Sequence, residues 1–579
     1  MQVSEAQELQ LLGRAARREE AVERWIPRVV ALVALFLVAA PLLTVTVASF
    51  RPGLTLPFQA GEWTLGNFVE AFGSLFTYRL LLNTFLYAFA SLAVGLSIAL
   101  VFAWLVERTD MPYASSIYTL LLIPMAVPSL LKALGWVLLL GPRQGIINLF
   151  LRDLLGLNTP VGPLNIYSFA GMVFLTALSV VPTMFLMLGP LLRNINPSFE
   201  EAAETSGVGI LNTLRKVTLP LISPGILAVI MYFVIVMIES FEIPLAIGLN
   251  AKFPVLSLQI YILSRGEHLP HYGLASSYSF LGLVLGILLL YAYRRATANA
   301  QRFAVITGKG YTQKRFALGR GKYLALGFIG LYLMLAVILP VGVLLWGSLL
   351  DFYRPPSQAA LAHISLTNYV EIFRSPRIIL AATNTLILFL SAASLTVFLA
   401  LLISWVIHRH QSYFSAALDN AVFLPLAVPS IVIALGVMLF YLPTPLWGTI
   451  WIIVLGQIIR YLPFGARTIS AAILQIHQEL EEAAWASGAS KLTTLRRVTL
   501  PLLLPAVWNS WLWVAIHSMR DFTFPLMLIS YTNVVITSLL WSLWEQGRLT
   551  GMSAMAVLLI LVSAFLSVAS RRVAPRLGI

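Results

Sequence analysis

The sequence predicts an all-α integral membrane protein with twelve transmembrane helices, arranged as two parallel six-helix repeats. The first observation is composition, since 59% of the 579 residues are hydrophobic and only 11% are charged. A soluble protein carries about 25% charged residues, so this chain cannot cover a globular surface with charge. Long uncharged runs and an internal duplication are the other observations, and they give the number and arrangement of the helices.

The N-terminal segment precedes the first membrane span. Residues 1–25 are mixed in charge and helix-prone, which fits either a cytosolic amphipathic helix or a partly disordered tail. The first apolar run, 29–50, is longer than a signal-peptide core of roughly 7–15 residues. We therefore interpret this run as a retained membrane span and not as a cleaved signal.

Each half of the chain contains runs of the length that a membrane helix needs, about 20 apolar residues. The runs of the first half are 29–50, 80–106, 114–131, 166–192, 217–238 and 274–293, and the third continues past Lys132 to Leu140. Those of the second half are 323–350, 378–407, 420–459, 498–519 and 551–570. The run 420–459 is too long for one helix, and it should break at Leu442–Pro445, because proline removes a backbone donor and clashes with the preceding turn. The total is then twelve spans.

The basic residues predict the orientation. Residues 294–322 hold eight Lys or Arg and no acid, and both termini are also rich in arginine. Positive charge favours the cytosolic side, and an even number of spans places both termini and this linker on one side. We expect a multi-pass protein of the bacterial inner membrane with both termini in the cytosol. The same bias accounts for the net charge of +14 without nucleic-acid binding.

An internal repeat organises the chain into domains. WTLGNFVEAF at 63–72 matches ISLTNYVEIF at 364–373, and LIPMAVPS at 122–129 matches FLPLAVPS at 423–430, both at an offset of 301. Six spans per repeat make the halves parallel, related by an axis along the membrane normal. The predicted divisions are 1–25 as the N-terminal segment, 26–298 as the first repeat, 299–322 as the basic linker and 323–579 as the second repeat.

A charged loop is also duplicated, at an offset of 281. FEEAAETSGVGILNTLRKVTLPLISP at 199–224 matches LEEAAWASGASKLTTLRRVTLPLLLP at 480–505. Acids in the first turn and alanines predict a short helix, which Gly207 or Gly488 should end before a second helix begins. The loop either docks another protein or only keeps a re-entry segment hydrated. Its recurrence favours docking, because a solvating loop need not keep its residue types at each spacing.

Both copies resemble the EAA loop of permease subunits of binding-protein-dependent ABC importers. The matching residues are Glu201, Ala202, Ala203 and Gly207 in the first copy, and Glu482, Ala483, Ala484 and Gly488 in the second. The resemblance implies the type I importer permease fold, with each loop acting as a coupling helix on a separate ATPase subunit. It also implies two ATPase copies that hold ATP and magnesium, an external substrate-binding protein and contact with membrane lipid.

The chain itself lacks the motifs of catalysis. Gly308-Lys309-Gly310 fails the phosphate-loop pattern G-x-x-x-x-G-K-[ST], so ATP hydrolysis is expected in the partner and this chain is not expected to be an enzyme. The absence of cysteine excludes thiolate metal sites, and we expect no bound metal or cofactor. A channel or secondary transporter would explain the spans but not the two loops. Exporters usually carry nucleotide-binding domains on long helical extensions, which this chain lacks.

The fused layout is similar to that of ferric-iron permeases. The stretches Ile306–Tyr311 and Ser240–Pro244 resemble sequences of that group. Ferric iron is therefore the expected substrate, with thiamine and aminoethylphosphonate permeases, which share the layout, as alternatives.

Intramembrane charges mark a candidate pathway. Glu239 aligns with Arg520 at the offset of 281, so the two are predicted to approach across the pseudo-axis, with Glu242 and Asp521 within a turn. Such charges line a cavity or pair with one another. Three acids and one arginine would leave a negative ring suited to a cation, whereas a purely structural Glu239–Arg520 pair is the alternative. Paired prolines, represented by Pro128 and Pro429, are either gate hinges or packing kinks.

Overall fold

A computed structural model describes residues 2–53, 55–196, 198–266, 269–298, 315–409 and 413–573. These residues form helices and two isolated β-bridges, with no strand among them. The all-helical prediction is therefore confirmed for this part of the chain. Residues 299–314, which include the Ile306–Tyr311 stretch, and the tail from 574 to 579 lie outside the described residues.

The helices follow a similar, but not identical, order in the two halves. The first half contains α1 (Gln2–Ser49), α2 (Gly66–Gly73), α3 (Leu75–Arg108), α4 (Ala114–Leu122), α5 (Ser129–Leu140), α6 (Ile146–Leu155), α7 (Phe169–Arg193), α8 (Ser198–Thr205), α9 (Ile210–Thr213), α10 (Leu219–Ile238), α11 (Leu249–Ala251), α12 (Leu256–Arg265) and α13 (Tyr272–Ala298). The second half contains α14 (Gly321–Leu333), α15 (Leu339–Ser348), α16 (Gln358–Leu361), α17 (Thr367–Arg374), α18 (Pro376–Arg409), α19 (Tyr413–Phe423), α20 (Ser430–Tyr441), α21 (Ile450–Ile473), α22 (Gln478–Ala486), α23 (Lys491–Thr494), α24 (Leu500–Arg520), α25 (Thr523–Met527), α26 (Ile536–Glu545) and α27 (Leu549–Val573).

The described residues contain 10 helices long and apolar enough to cross a membrane, or up to 13 spans if each of three bent helix pairs is one span. The pairs α4/α5 and α19/α20 coincide with predicted runs and bend by 86° and 107° at their proline motifs. The third pair joins Pro244–Ala251 to α12 with a bend of 89°, and the sequence did not predict it. The long run of the second half breaks after Tyr441, beside the predicted proline site.

Helix α21 corrects one predicted boundary. The uncharged run stops at residue 459, but α21 continues to Ile473 and carries Arg460 and Arg467 inside its length. The criterion of uncharged residues failed here because an arginine is tolerated within a membrane helix when a partner neutralises its charge. Arg460 has such a partner, which is described below.

The first helix of each half packs on the other half. Helix α1 packs on its own α13 and also on α19 and α20, while α15 packs on its own α27 and also on α5. Val30, Ala31 and Ala34 accordingly share a buried cluster with residues of α18 and α21. The two halves are therefore interlocked by exchanged helices.

Repeated polar residues hold equivalent joints in the two halves. Thr84 Oγ1 accepts a hydrogen bond from Leu256 N at 3.0 Å, and Thr385 Oγ1 accepts one from Ile536 N at 2.9 Å. In each half, therefore, a threonine of a long membrane helix binds the start of the short helix that follows the broken segment. These threonines belong to the pairs Asn83-Thr84 and Asn384-Thr385, which the sequence repeats at the offset of 301, so this repeated pair has a structural role.

Candidate functional site

The two duplicated loops have the same backbone geometry. In the first, Gly207 N donates to Glu204 O at 2.9 Å and Val208 N donates to Ala203 O at 3.0 Å. The corresponding bonds of the second loop, at Gly488 and Ala489, are 2.9 and 3.0 Å long. Gly207 and Gly488 have φ values of +77° and +84°, in the left-handed region that favours glycine. This is the Schellman arrangement, which ends α8 and α22 as the sequence predicted.

The surface of each loop is small and acidic. Glu201 and Ala202 are exposed and Ala203 is half-buried, and Glu482, Ala483 and Ala484 repeat this pattern. Both glycines are exposed as well, and a β-carbon on either would meet no atom within 4 Å. The sequence-predicted residues therefore form a free surface in the described chain, where small side chains would allow another backbone to approach closely.

The acid one position earlier has the opposite environment. Glu200 is buried, forms an ion pair with Arg108 at the end of α3, and accepts a hydrogen bond from Thr218 Oγ1 at 2.8 Å. Arg108 is fully buried. The sequence identified Glu200 only as one of the acids of the first turn, although an acid directly precedes the Glu-Ala-Ala residues in both copies.

The second loop repeats this anchor. Glu481 is buried, pairs with Arg409 Nε at 2.8 Å, and accepts a hydrogen bond from Thr499 Oγ1 at 2.9 Å. Arg108 and Arg409 are 301 residues apart, so the repeat offset could have revealed this pair. In each half the loop is fixed to the end of one long helix, α3 or α18, and, through Thr218 or Thr499, to the start of the helix that follows the loop, α10 or α24. Because buried ion pairs resist separation, the loop and these helix ends should move as one unit.

The described part of the basic linker, from Arg315 onward, is tied to the first loop's anchor. Phe316 N donates to Arg108 O at 2.8 Å, and Asp110 N donates to Phe316 O at 2.9 Å. The carboxylate of Asp110 also accepts a hydrogen bond from Leu318 N at 2.7 Å. This part of the linker therefore lies beside Arg108, the residue that holds Glu200.

The intramembrane cluster differs from its predicted pairing. Glu239, at the end of α10, pairs with Arg460 of α21 and not with Arg520. The purely structural Glu239–Arg520 pair, which was the alternative to a pathway ring, is therefore not formed. The aligned positions do face the other half, but α21 runs deeper than expected and brings Arg460 to Glu239. Among the ion pairs observed in the described residues, the Glu239–Arg460 pair links a membrane helix of the first half to a membrane helix of the second half.

Arg520 binds a broken helix of the opposite half. Its Nη1 donates to the carbonyl of Met125, in the short turn Ile123–Ala126 that separates α4 from α5. Its Nη2 lies 2.8 Å from His517 Nε2, whose ring also bonds Trp513 O through Nδ1 at 2.8 Å. Since a carbonyl can only accept, Nδ1 carries the proton and Nε2 accepts from Arg520. Arg520 thus satisfies a carbonyl that the proline break leaves without its helical partner.

The two remaining acids bind helix starts. Glu242 Oε2 accepts a hydrogen bond from Leu130 N of α5 at 3.1 Å. Asp521 Oδ2 accepts hydrogen bonds from Gln457 Nε2 at 3.2 Å and from Phe524 N at 3.4 Å. A carboxylate at a helix N-terminus satisfies donors that have no intrahelical partner. Both acids therefore support the interrupted segments of the membrane domain.

The charge balance of the cluster also differs from the expected negative ring. Arg460 joins the cluster, and the buried Lys132 of α5 interacts electrostatically with Glu242 and Arg520. With these two cations the formal charge is three negative and three positive, so the argument for a cation-attracting ring no longer holds.

Pro128 and Pro429 directly precede α5 and α20, at the bends of the two broken pairs. The described residues contain no group of three or more His, Cys, Asp or Glu placed to hold a metal.

Comparison with known protein families gives a match in each half of the chain. The family model described as "Binding-protein-dependent transport system inner membrane component" matches residues 95–302 and 396–579. Each matched segment contains one of the duplicated loops. The match therefore covers more than half of the chain and falls on both repeats.

Several curated proteins are similar over much of their length. The chain is 28% identical over 495 residues to the "Putative ferric transport system permease protein FbpB 1" of Haemophilus influenzae, covering 83% of this chain and 73% of that protein. It is 27% identical over 551 residues to the "Ferric transport system permease protein FbpB" of Actinobacillus pleuropneumoniae, covering 92% and 75%. A shorter match, 28% identical over 163 residues, is to the "Putative 2-aminoethylphosphonate transport system permease protein PhnV" of Salmonella typhimurium, covering 28% and 62%.

Among solved structures, one similar chain comes from a crystal structure of a bacterial ABC transporter involved in the import of the acidic polysaccharide alginate. The TM-score is 0.35 at 21% identity, and the match covers 44% of this chain and 96% of that chain.

Proposed function

Because the chain belongs to the family of binding-protein-dependent transport system inner membrane components, we propose that it imports ferric iron with ATP-hydrolysing partner subunits. The family itself is one of transport permease subunits of the inner membrane. The observation that supports the coupling role is the pair of duplicated loops, each with the same backbone bend, an exposed Glu-Ala-Ala surface and a buried acid anchor. Two such surfaces suit two ATPase copies, which would hold the ATP and magnesium.

The proposed topology has twelve spans in two parallel repeats. Ten straight helices and the broken pairs α4/α5 and α19/α20 make up this number. We treat the segment from Pro244 to Arg265 as re-entrant, because its counterpart in the second half, α25 and α26, is interrupted in the same way between equivalent helices. Both termini and the linker then lie in the cytosol, together with the two loops.

The mechanism uses the helices that follow the loops. Helix α10 begins beside the first loop and ends directly before Glu239, and α24 begins beside the second loop and ends at Arg520. Each helix spans about 30 Å at ~1.5 Å per residue, enough to carry a movement across the membrane. When the ATPases close, they would move both loops, and the helix ends that are anchored to the loops would move with them. Glu239 would then part from Arg460, and Arg520 from Met125, as the halves rock.

Ferric iron is favoured as substrate by the names of the two long matches, each of which covers more than four fifths of this chain. The aminoethylphosphonate permease matches less than a third of it, so that substrate is the second candidate. The neutral charge balance of the cluster offers no support for free cations in the pathway. Recognition of iron would accordingly rest on the external binding protein.

Reconstitution tests the proposal. The permease would be placed in vesicles with its ATPase subunit, and candidate binding proteins would be added loaded with ferric iron or with 2-aminoethylphosphonate. We expect ATP hydrolysis to rise with the iron-loaded protein, together with uptake of ⁵⁵Fe. Stimulation by the phosphonate-loaded protein alone would assign the second substrate, and uptake without any ATPase subunit would exclude an ATP-driven importer.

A further inference from the structure

An open cleft lies at the loop side of the first half, where four chain segments meet. It has a volume of about 430 Å³, within the range of small-ligand sites. The cleft is bordered by the end of α3, the start of α4, the end of α7 and the first residue after the undescribed part of the linker. Its polar lining consists of Glu107, Ser115, Tyr118, Thr119, Arg193 and Arg315.

The lining carries a net positive charge. Arg193 is held by Glu107 through two hydrogen bonds, of 3.0 Å from Nε and 2.7 Å from Nη2, yet its side chain is 52% exposed. Arg315 is exposed and adds a second cation to the cleft. The fixed guanidinium plane of Arg193 and the hydroxyl of Ser115 provide donors of the kind that bind phosphate oxygens. An anionic group of this size is therefore the favoured occupant.

The face of α4 that borders the cleft is polar, and it becomes apolar where the helix continues into the turn Ile123–Ala126. Ser115, Thr119 and Ile123 follow one another at four-residue spacing, so they share a helix face. The two hydroxyl residues line the cleft, whereas Ile123, one turn deeper towards the membrane, is apolar and 44% exposed. A phospholipid has the same order, with a charged phosphate at the membrane surface and apolar acyl chains deeper in the membrane. We propose that the cleft binds the headgroup of an anionic phospholipid of the cytosolic leaflet.

The second half does not repeat this cleft. The positions equivalent to Glu107, Ser115, Tyr118 and Arg193 are His408, Ala416, Asp419 and Leu474. Leucine removes the cation and aspartate adds an acid, so the second half has no corresponding anion site. The inferred lipid site is single, which makes the two coupling loops unequal.

The position of the cleft indicates what a bound lipid would do. Glu107 precedes Arg108, which holds Glu200 of the first loop, and Arg315 precedes Phe316, which is hydrogen-bonded to Arg108. A headgroup bound to both Arg193 and Arg315 would therefore join the linker to the foot of the first loop. This inference rests on the proposed function for its cytosolic orientation, but lipid binding itself does not depend on the transported substrate.

Lipid binding to the full chain in an uncharged detergent tests the site. Phosphatidylglycerol and phosphatidylcholine with identical acyl chains would be titrated separately, with retained lipid read by native mass spectrometry. We expect tighter retention of phosphatidylglycerol, weakened about fivefold by Arg315→Gln, as expected for one basic residue near an anionic headgroup. The matched control is Arg320→Gln, which removes the same charge from the same segment but does not line the cleft.

Further variants separate the lipid from other occupants. Thr119→Leu keeps every charge and fills the cleft, so it should also weaken retention, and unchanged melting temperatures would show that both variants fold. Equal effects of Arg315→Gln and Arg320→Gln would overturn the proposal in favour of general surface charge. Equal competition by soluble glycerol phosphate would replace the lipid with a free phosphate. Loss of ATPase-subunit binding in Arg315→Gln without any loss of lipid would make the cleft part of the protein interface and overturn the proposal.

Discussion

Gly135 of α5 lies against Pro340 of the other half, so closely that a β-carbon at Gly135 would be 2.7 Å from the proline carbonyl oxygen. The same contact recurs between Gly436 of α20 and Pro41 of α1. The two glycines are 301 residues apart and the two prolines 299. The halves are thus joined by two reciprocal contacts. In each contact a helix at the start of one half, α15 or α1, packs against the second helix of a broken pair in the other half, α5 or α20.

Alanine at Gly135 or Gly436 should destabilise the joined halves. The added methyl group meets rigid backbone, and overpacking of this kind costs about 1–3 kcal/mol. Thermal unfolding of the detergent-solubilised protein would measure the loss. Gly342→Ala is the matched control, because it lies in α15 beside Pro340 with no atom within 4 Å of the added carbon. That control should be neutral or slightly stabilising, since alanine favours helix over glycine. Equal melting temperatures for all three variants would contradict the close contact.

The buried and exposed acids of one loop should respond differently to the same change. Glu481→Gln leaves Arg409 buried beside an uncharged partner, and breaking a buried ion pair costs about 3–5 kcal/mol. Glu482→Gln alters an exposed side chain, so its effect on stability should stay within about 0.5 kcal/mol. Thermal unfolding compares the two directly. We expect Glu482→Gln to keep the fold and weaken binding of the ATPase subunit instead, and equal destabilisation by both variants would refute the assigned environments.

A double-mutant cycle distinguishes the two possible partners of Glu239. Glu239→Gln and Arg460→Gln each leave one charge buried and unpaired, so the pair should show a coupling energy of about 0.5–3 kcal/mol in thermal unfolding. The parallel cycle of Glu239→Gln with Arg520→Gln should be nearly additive, because Arg520 contacts Met125 and His517. Strong coupling to Arg520 and none to Arg460 would restore the pairing expected from the repeat alignment.

The loop glycines should be required for coupling. Alanine at Gly207 or Gly488 meets no neighbouring atom but must adopt a left-handed backbone, which costs about 1–2 kcal/mol. We expect the altered end of α8 or α22 to uncouple ATP hydrolysis from transport in reconstituted vesicles. Gly209→Ala is the control, since it lies in the same loop without a positive φ. Normal, coupled transport by a variant with both Gly207 and Gly488 replaced would show that the loops are not the coupling elements.

Much of the architecture follows from signals that are local or periodic in the sequence. Apolar runs identify the membrane helices to within several residues, apart from α21, which continues well beyond its uncharged run, and the constant offsets identify the repeat. The loop bends were predictable because only glycine enters the left-handed region without strain. The break at Leu442–Pro445 was predictable because proline ends helices locally. Arg460 escaped prediction because its tolerance within the membrane depends on Glu239, a residue 221 positions away.

The sequence by itself determined the membrane setting, the duplication and the form of the two loops, because each depends on neighbouring residues or on a fixed spacing. Only the tertiary structure decided which half each first helix packs against, which arginine meets Glu239, and which acid of each loop is buried. These three outcomes depend on contacts between distant helices, where a register shift of one residue exchanges a buried side chain for an exposed one. Glu200 and Glu201 illustrate this, since they are adjacent and chemically identical, and only the position of Arg108 makes one a buried anchor and leaves the other exposed.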